Sequence, residues 1–513
     1  MNFTETFDAL AEPASEPFAR LLDRIAFGGL LLMVAAAPHS IAVTQIGWLV
    51  GMLAWIIRLF ILPHPKVRIT SIGIALSGLF VWSGISSIFS YEPWASVDKL
   101  RAVTIFLIFI FAFNVLRNRR AVHLAAFLLV GSCMISVAWT PIQKLIGRSV
   151  EFSQLSPASP LTLAGARDGD VIVRANGRRV SSPEDVLEQI VGREKVTLEM
   201  NRLDGVYWVE LQRDKLLQGP TAADQLGFGE WKRWRGFRAA GFYGHFTTFA
   251  EVLQLIGALA LGLLVAALML GGQLRTILAF GICVAGIGFA LLLTVTRASQ
   301  LAFLISSMSI VVLGASRKFI LISVAIALPL AGLGLYFLQQ QRQVGFFDTK
   351  DGSIQYRLMM WRDGVRLLKE KPSHLVVGVG MESIKTHWEE WGLFDKGWQP
   401  MGHFHSTPIQ LAVERGVPAL LIWLVVLALY ARTLYRGFTR PASAEDWRSR
   451  GILLGCTGAL IGFFASGLVH YNLGDQEVAM VFFILMAFGV KLSDLPPPKD
   501  LLIAESPILA ANA

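Results

Sequence analysis

Along most of this chain apolar positions neither alternate nor recur every third or fourth residue. They run unbroken for about 17 to 25 residues, the length at which a helix crosses a hydrocarbon core. Twelve such runs fall near 22–38, 41–61, 69–89, 100–116, 121–143, 246–270, 275–294, 298–315, 318–338, 408–431, 451–470 and 476–491. Two longer segments, 146–245 and 339–407, break the rhythm and are expected outside the bilayer. Within the first, the pattern switches to short alternating stretches with turn pairs between them. "DGDVIVRANGRRV" predicts two strands joined through Asn176-Gly177, and "SSPEDVLEQIVG" predicts a helix capped by Ser182, with Pro183 at its first position and Gly192 past its end. A second hairpin is expected around Asp204-Gly205. The pattern therefore predicts an all-α polytopic membrane protein of about twelve transmembrane helices carrying a small α+β insertion.

Composition narrows the class. Of 513 residues, 54% are hydrophobic and 16% are charged, which excludes an ordinary soluble enzyme of this length. Cys133, Cys283 and Cys456 lie in separate apolar stretches, so neither a disulfide framework nor a CxxC metal site is expected. The first 20 residues lack a basic start and the first apolar run lacks a cleavage-like small-residue site, so the first helix is expected to stay. Lys and Arg in short loops stay on the cytoplasmic side. With the N-terminus inside, eighteen of them fall on that side and three (Lys99, Arg101 and Arg297) on the other. Both termini are thus expected to be cytoplasmic and both long segments to share the outer face. The net charge of +9 is met by basic loops facing anionic lipid, so no nucleic-acid partner is expected. The domains expected are helices one to five over 1–145, an outer segment over 146–245 with a globular part at about 156–213, helices six to nine over 246–338, an outer loop over 339–407, helices ten to twelve over 408–491, and a cytoplasmic tail over 492–513.

Candidate chemistry gathers on that outer face. "HFHSTPIQLAVERG", 403–416, opens a helix with Thr407 as cap, Pro408 at the first position and Gln410 three residues on. Its free N–H groups and positive dipole end suit an anion. His405 stands just before the cap, where an imidazole can accept a proton near neutral pH, and Glu414 lies about 10 Å deeper at 1.5 Å per residue. An interfacial histidine bonded to the helix end is the blander reading. Zinc at His403 and His405 lacks a further ligand at suitable spacing, and no metal or cofactor is expected. Arg297 sits in a tight outer turn where basic residues are scarce; snorkelling explains it as well as an anionic partner does. "WKRWRGFRAAGFYGHF" adds Lys232, Arg233, Arg235 and Arg238, some of them interfacial anchors beside Trp231 and Trp234. "YRLMMWRDGVRLLKEKP" predicts an amphipathic surface helix with Arg357 and Trp361 one turn apart. "VVGVGME" forms a turn, and its Gly378-x-Gly380 is weak as a phosphate signal. In "HYNLGDQE", Asp475 and Glu477 stand at the mouth of the last helix, with Asp475 placed to cap it.

These residues, in this order, resemble the O-antigen ligase and O-antigen polymerase superfamily of bacterial inner-membrane glycosyltransferases. The matching elements are "RAAGF" with Arg238, "TVTRAS" with Arg297, Arg357 and Trp361 followed by Gly378 and Gly380, and "HSTPIQLAVERG" with His405 and Glu414. They span roughly 230 to 490. Ser406 stands where the family has Asn, Ser299 follows Arg297 instead of preceding it, and the inserted domain is untypical. That insertion resembles a bacterial PDZ domain, through "GARDGDVIVRANGRRVSSPEDV", a fold that adds a peptide strand to a sheet edge; a spacer is the alternative. The resemblance implies a GT-C-like fold in the inner membrane and transfer of a glycan from undecaprenyl diphosphate to an acceptor hydroxyl on the periplasmic face, with inversion and without a metal. It also implies that Arg238 and Arg297, with Arg357, hold the diphosphate, and that His405 activates the acceptor with Glu414 as a second catalytic residue, supported by Trp361 and Asp475. Ligation to the lipid A core comes first, ahead of repeat-unit polymerisation or transfer to protein. A transporter of lipid-linked glycans is the reading from another class, since arginine-lined cavities serve that too.

Overall fold

The computed structural model describes residues 3–202, 205–322, 352–397, 402–440 and 446–496. It divides into two compact units, Ala138–Gly241 and the remainder.

The larger unit is helical. Nine described helices are long and apolar enough to cross a membrane: Ile41–Arg58, Ser71–Ile88, Arg119–Ile146, Phe246–Met269, Leu274–Leu293, Arg297–Gly314, Thr407–Thr439, Trp447–Gly467 and Gln476–Asp494. This is a polytopic membrane protein. The count differs from twelve for identifiable reasons. The first apolar run forms the helix Pro17–Ala36, but Arg20, Asp23 and Arg24 charge its first turns, and Asp23 is buried between Arg117 (2.6 Å) and Arg58 (3.3 Å). The run at 100–116 is no single span: an amphipathic helix, Pro93–Val103, passes through a short 3-10 turn into Leu107–Val115. Most of the span expected at 318–338 lies outside the described residues.

In lipid, helices gain nothing from burying apolar surface against one another, so association relies on close packing of small residues. The Phe246–Met269 and Trp447–Gly467 helices meet this way. A Cβ added at Gly262 would lie 2.3 Å from the Gly455 nitrogen and 2.5 Å from the Gly451 carbonyl oxygen. Two helices this near leave buried polar side chains few partners except each other, and Glu251 of the first helix pairs with His470, at 3.1 Å, on the loop after the second.

The smaller unit is built on an antiparallel sheet in the order β5-β4-β2-β1-β6, with β3 paired to β2. The strands are β1 (Arg148–Leu155), β2 (Val171–Ala175), β3 (Arg178–Arg179), β4 (Lys195–Arg202), β5 (Gly205–Gln212) and β6 (Phe228–Trp234). Asn176 (φ 48°) and Gly177 (φ 78°) form the two-residue turn between β2 and β3, the positive-φ pair that suits a twisted hairpin. The helix Pro183–Ile190 carries a full capping box, Ser182 with Asp185. β4 and β5 pair from Lys195↔Gln212 to Arg202↔Gly205; the loop residues 203 and 204 lie outside the described residues. The unit is wider than the expected 156–213, because β1 and β6 pair with each other from outside that range. Lys232 and Arg233 thereby belong to a strand, and Lys232 lies 3.1 Å from Glu151 across the ladder. Alternation in "FGEWKRW" is masked by its aromatic and basic residues, which read equally well as interfacial anchors.

Candidate functional site

The helix that opens at Thr407 does not run straight. Gly416 adopts φ 80°, ψ 165°, two residues before Pro418. A proline has no N–H to return to the carbonyl four residues back, and the break leaves three carbonyls without helical donors. Each has a substitute. The Val413 carbonyl accepts from the Val379 N–H (2.8 Å), the Glu414 carbonyl from the Gly380 N–H (2.8 Å) and the Ser86 hydroxyl (3.2 Å), and the Arg415 carbonyl from the Trp82 indole N–H (2.8 Å). The Gly-x-Gly element is therefore a clamp on the broken helix. Gly378 lies so near that an added Cβ would sit 2.4 Å from the Glu414 carbonyl group.

A cavity of about 220 Å³ opens at this break. Its charged wall consists of Lys99, Glu382, Lys385, Glu414 and Arg415, with His403, Gln410 and Tyr471 among the neutral polar groups. Glu414 and Arg415 are buried. Arg415 reaches Glu414 (3.8 Å) and the Tyr471 hydroxyl (3.4 Å), and that hydroxyl also lies 3.4 Å from Glu414 Oε2. Glu382 bridges Lys99 (2.9 Å) and Lys385 (3.1 Å); burial raises its pKa, but hydrogen bonds from the two lysines outweigh this and hold it below the ordinary value. Burial, then the neighbouring Glu414, pushes the Tyr471 phenol up, so it stays protonated and can donate.

The cap differs by one residue from expectation. Ser406 is the N-cap, while the Thr407 hydroxyl donates to the Asn472 Oδ1 (2.9 Å) and the His470 carbonyl (3.2 Å). Competition from the 470 loop removes Thr407 from capping duty. The Gln410 side-chain Oε1 instead accepts the Phe404 N–H at 2.8 Å, and the Trp361 indole donates to the Phe404 backbone carbonyl at 3.1 Å. The residue before His405 is thus pinned on both sides. His405 itself has φ 47°, a left-handed backbone that is uncommon for a non-glycine residue and persists only when its surroundings hold it.

His405 and His403 meet edge to face, 4.1 Å between ring centroids, and His403 lies 6.2 Å from the Tyr471 ring. His403 is the imidazole on the cavity wall, with His405 packed against it. Burial lowers both, His403 to about 4 and His405 to about 2; Lys385 adds to the first effect, and His403 and Arg357 to the second. Both rings are neutral at pH 7. The same field places Arg357, on the helix Gly352–Glu370, near enough to His405 to disfavour its charge.

Arg297 is the half-buried first residue of Arg297–Gly314, a helix that packs on Trp447–Gly467 and Phe246–Met269. Arg238 belongs to the other compact unit, after β6. Asp475 precedes the last helix at the N-cap position, but its carboxylate accepts the Thr248 hydroxyl (2.5 Å) instead of capping. Burial pushes it up to about 8. Sequence reasoning passed over Lys99, Lys385, Arg415, Tyr471 and the His470–Glu251 pair. Two signals were present: Lys99 is one of three basic residues on the sparse side, and Arg415 adjoins Glu414 in a membrane-helix start.

Residues 281–424 match the family described as O-antigen ligase. Over that segment the chain is similar to the O-antigen ligase family. It is also similar to the exopolysaccharide production protein ExoQ of Rhizobium meliloti, 27% identical over 155 residues. That match covers 29% of this chain and 33% of the relative, so the chain aligns with about a third of the relative's length. The family segment contains Arg297, Arg357, Trp361, His405, Glu414 and the break at Gly416, and ends within the helix that carries the cavity.

Proposed function

We propose that the protein is an inverting, metal-independent glycosyltransferase that moves a glycan from undecaprenyl diphosphate to an acceptor hydroxyl on the periplasmic face of the inner membrane. The observation that carries this reading is the held, neutral imidazole of His405, next to His403 on a cavity wall that also bears Lys99, Lys385 and Arg415. The acceptor oxygen attacks the anomeric carbon as its proton passes to the His405 ring. The bond from that carbon to the diphosphate breaks, and the leaving charge is met by Arg297 and Arg357. Fixed guanidiniums bind phosphate oxygens in a bidentate way and take the place of a metal ion. Glu414, held by Arg415 and Tyr471, keeps the cavity's charge balanced beside the base. Trp361 supports the base through Phe404, and Asp475 ties the last helix to Thr248.

The first reading of the acceptor is the lipid A core, by ligation of a lipid-linked polysaccharide, supported by similarity to the O-antigen ligase family. Polymerisation of repeat units is the second reading, favoured by the exopolysaccharide relative. The sheet unit, whose sequence resembles a PDZ domain, serves as an acceptor-recognition or spacer module. The test is transfer of a labelled lipid-linked glycan by purified protein. His405→Ala abolishes transfer and leaves donor binding intact, whereas a transporter would show only a partial flux defect. Arg297→Ala weakens donor binding more than Arg297→Lys; wild-type donor affinity in Arg297→Ala removes Arg297 from the diphosphate site. In-frame deletion of 156–213 that abolishes transfer to one acceptor class alone assigns recognition to that unit.

A further inference from the structure

A second cavity, of about 540 Å³, is built on the same three helices as the first, Ser71–Ile88, Thr407–Thr439 and Gln476–Asp494. Gln476 lines the first and Asp494 the second, which at 1.5 Å per residue separates them by about 27 Å, close to the thickness of a hydrocarbon core. The first cavity runs inward from the Gln476 end of the last helix as far as Phe483, and the second opens at its Asp494 end.

The second cavity is strongly basic. Among the described residues, Arg68, Arg432, Arg436 and Arg440 line it with one carboxylate, Asp494, which is engaged by Arg68 at 2.6 Å. Arg432 and Arg436 stand four residues apart on one helix, so two like charges share a stripe, and Arg440, one turn further on, donates to the Ser493 carbonyl. Such a stripe is self-repelling unless an anion lies among the guanidiniums. The N-terminus of the 18-residue helix Ser71–Ile88 reaches the same wall through Thr70, Ser71 and Ile72, adding backbone donors and the positive end of a dipole. Tyr435, beside the stripe, is 70% exposed, as an aromatic at headgroup level is.

We propose that this cavity is a phosphate-binding site, occupied by the phosphate groups of an anionic phospholipid headgroup. Net basic charge, planar bidentate donors and a helix N-terminus are the chemistry that holds phosphate oxygens, and a position at the end of a bundle puts them where headgroups lie. A soluble phosphate compound would use the same donors. The site stands apart from the transfer chemistry and does not depend on it.

The test uses the full chain in nanodiscs of neutral phosphatidylcholine with cardiolipin added in steps, read by lipid adducts in native mass spectrometry, and a parallel titration with inorganic pyrophosphate. Cardiolipin is expected to be retained preferentially, with retention falling at least tenfold in Arg432→Gln/Arg436→Gln and largely restored in Arg432→Lys/Arg436→Lys. Lys232→Gln, on β6, is the control and should retain cardiolipin as the wild type does. Pyrophosphate that binds saturably, competes with cardiolipin and is lost in the Gln pair upholds a phosphate site but overturns the lipid source. Equal retention of both probes in the wild type and the Gln pair overturns the proposal. Because these arginines are exposed, the pair should fold; should it aggregate, Arg436→Gln alone supplies the same comparison.

Discussion

The two ends of the bundle solve the problem of placing charge near a membrane in opposite ways. At the Gly416 break the charges are of both signs and paired: buried Arg415 lies against buried Glu414 and Tyr471, and half-buried Glu382, nearer solvent, bridges two lysines. At the other end, among the described residues, four exposed arginines line a cavity with one carboxylate. Burial makes an unpaired charge costly, so a buried site must bring its own counter-charges. Exposure lifts that demand and lets like charges accumulate for an external anion. The same helices thus carry a closed charge balance at one end and an open one at the other.

The sharpest way to break this contrast is to remove the kink. A Cβ at Gly416 would lie 1.9 Å from the Val376 carbonyl oxygen at φ 80°, so Gly416→Val should cost more than about 3 kcal/mol and abolish a cooperative melting transition in detergent. Next, His405→Ala should lower transfer by roughly 10²- to 10⁴-fold, the usual contribution of one positioned base, with an unchanged melting temperature. His403→Ala should cost clearly less; equal losses would make the pair, not His405, the base. Arg415→Ala should destabilise by about 3 to 5 kcal/mol by stranding Glu414, while Arg415→Met with Glu414→Leu should cost less than either single change in a double-mutant cycle. Additive losses would rule out that buried charge balance.

A smaller effect is expected with pH. The folded-state pKa of His403 lies below the unfolded value of about 6.5, so the folded state binds fewer protons. Its contribution is complete above pH 6.5 and is lost as pH falls toward about 4. Melting temperature should drop across that window, and His403→Gln should flatten the drop. The smallest change is in the sheet unit, where Asp185→Ala removes one half of a capping box and should cost about 1 kcal/mol.

What was legible follows from how local each signal is. Nine spans, the Asn176-Gly177 hairpin and the Ser182 cap depend on residues within one turn or one run, so pattern alone finds them. Arg357, Trp361 and His405 were legible as a group because their motifs lie close in sequence and by resemblance. The 100–116 run misled because its apolar count is high while its backbone is held in three pieces. Thr407 misled because its partners, His470 and Asn472, lie more than sixty residues away.

By itself the sequence determined the membrane class, the positions of most helices and the segment that carries the histidine, because unbroken apolar length and turn chemistry act locally. Only the tertiary structure decided what the Gly-x-Gly element does, which cations line the cavity and which imidazole faces it. Those outcomes rest on carbonyls orphaned at Gly416 and charges stripped of water. Both had to find partners from Trp82, Ser86, Lys99 and Tyr471, residues that no local pattern could have assigned to them.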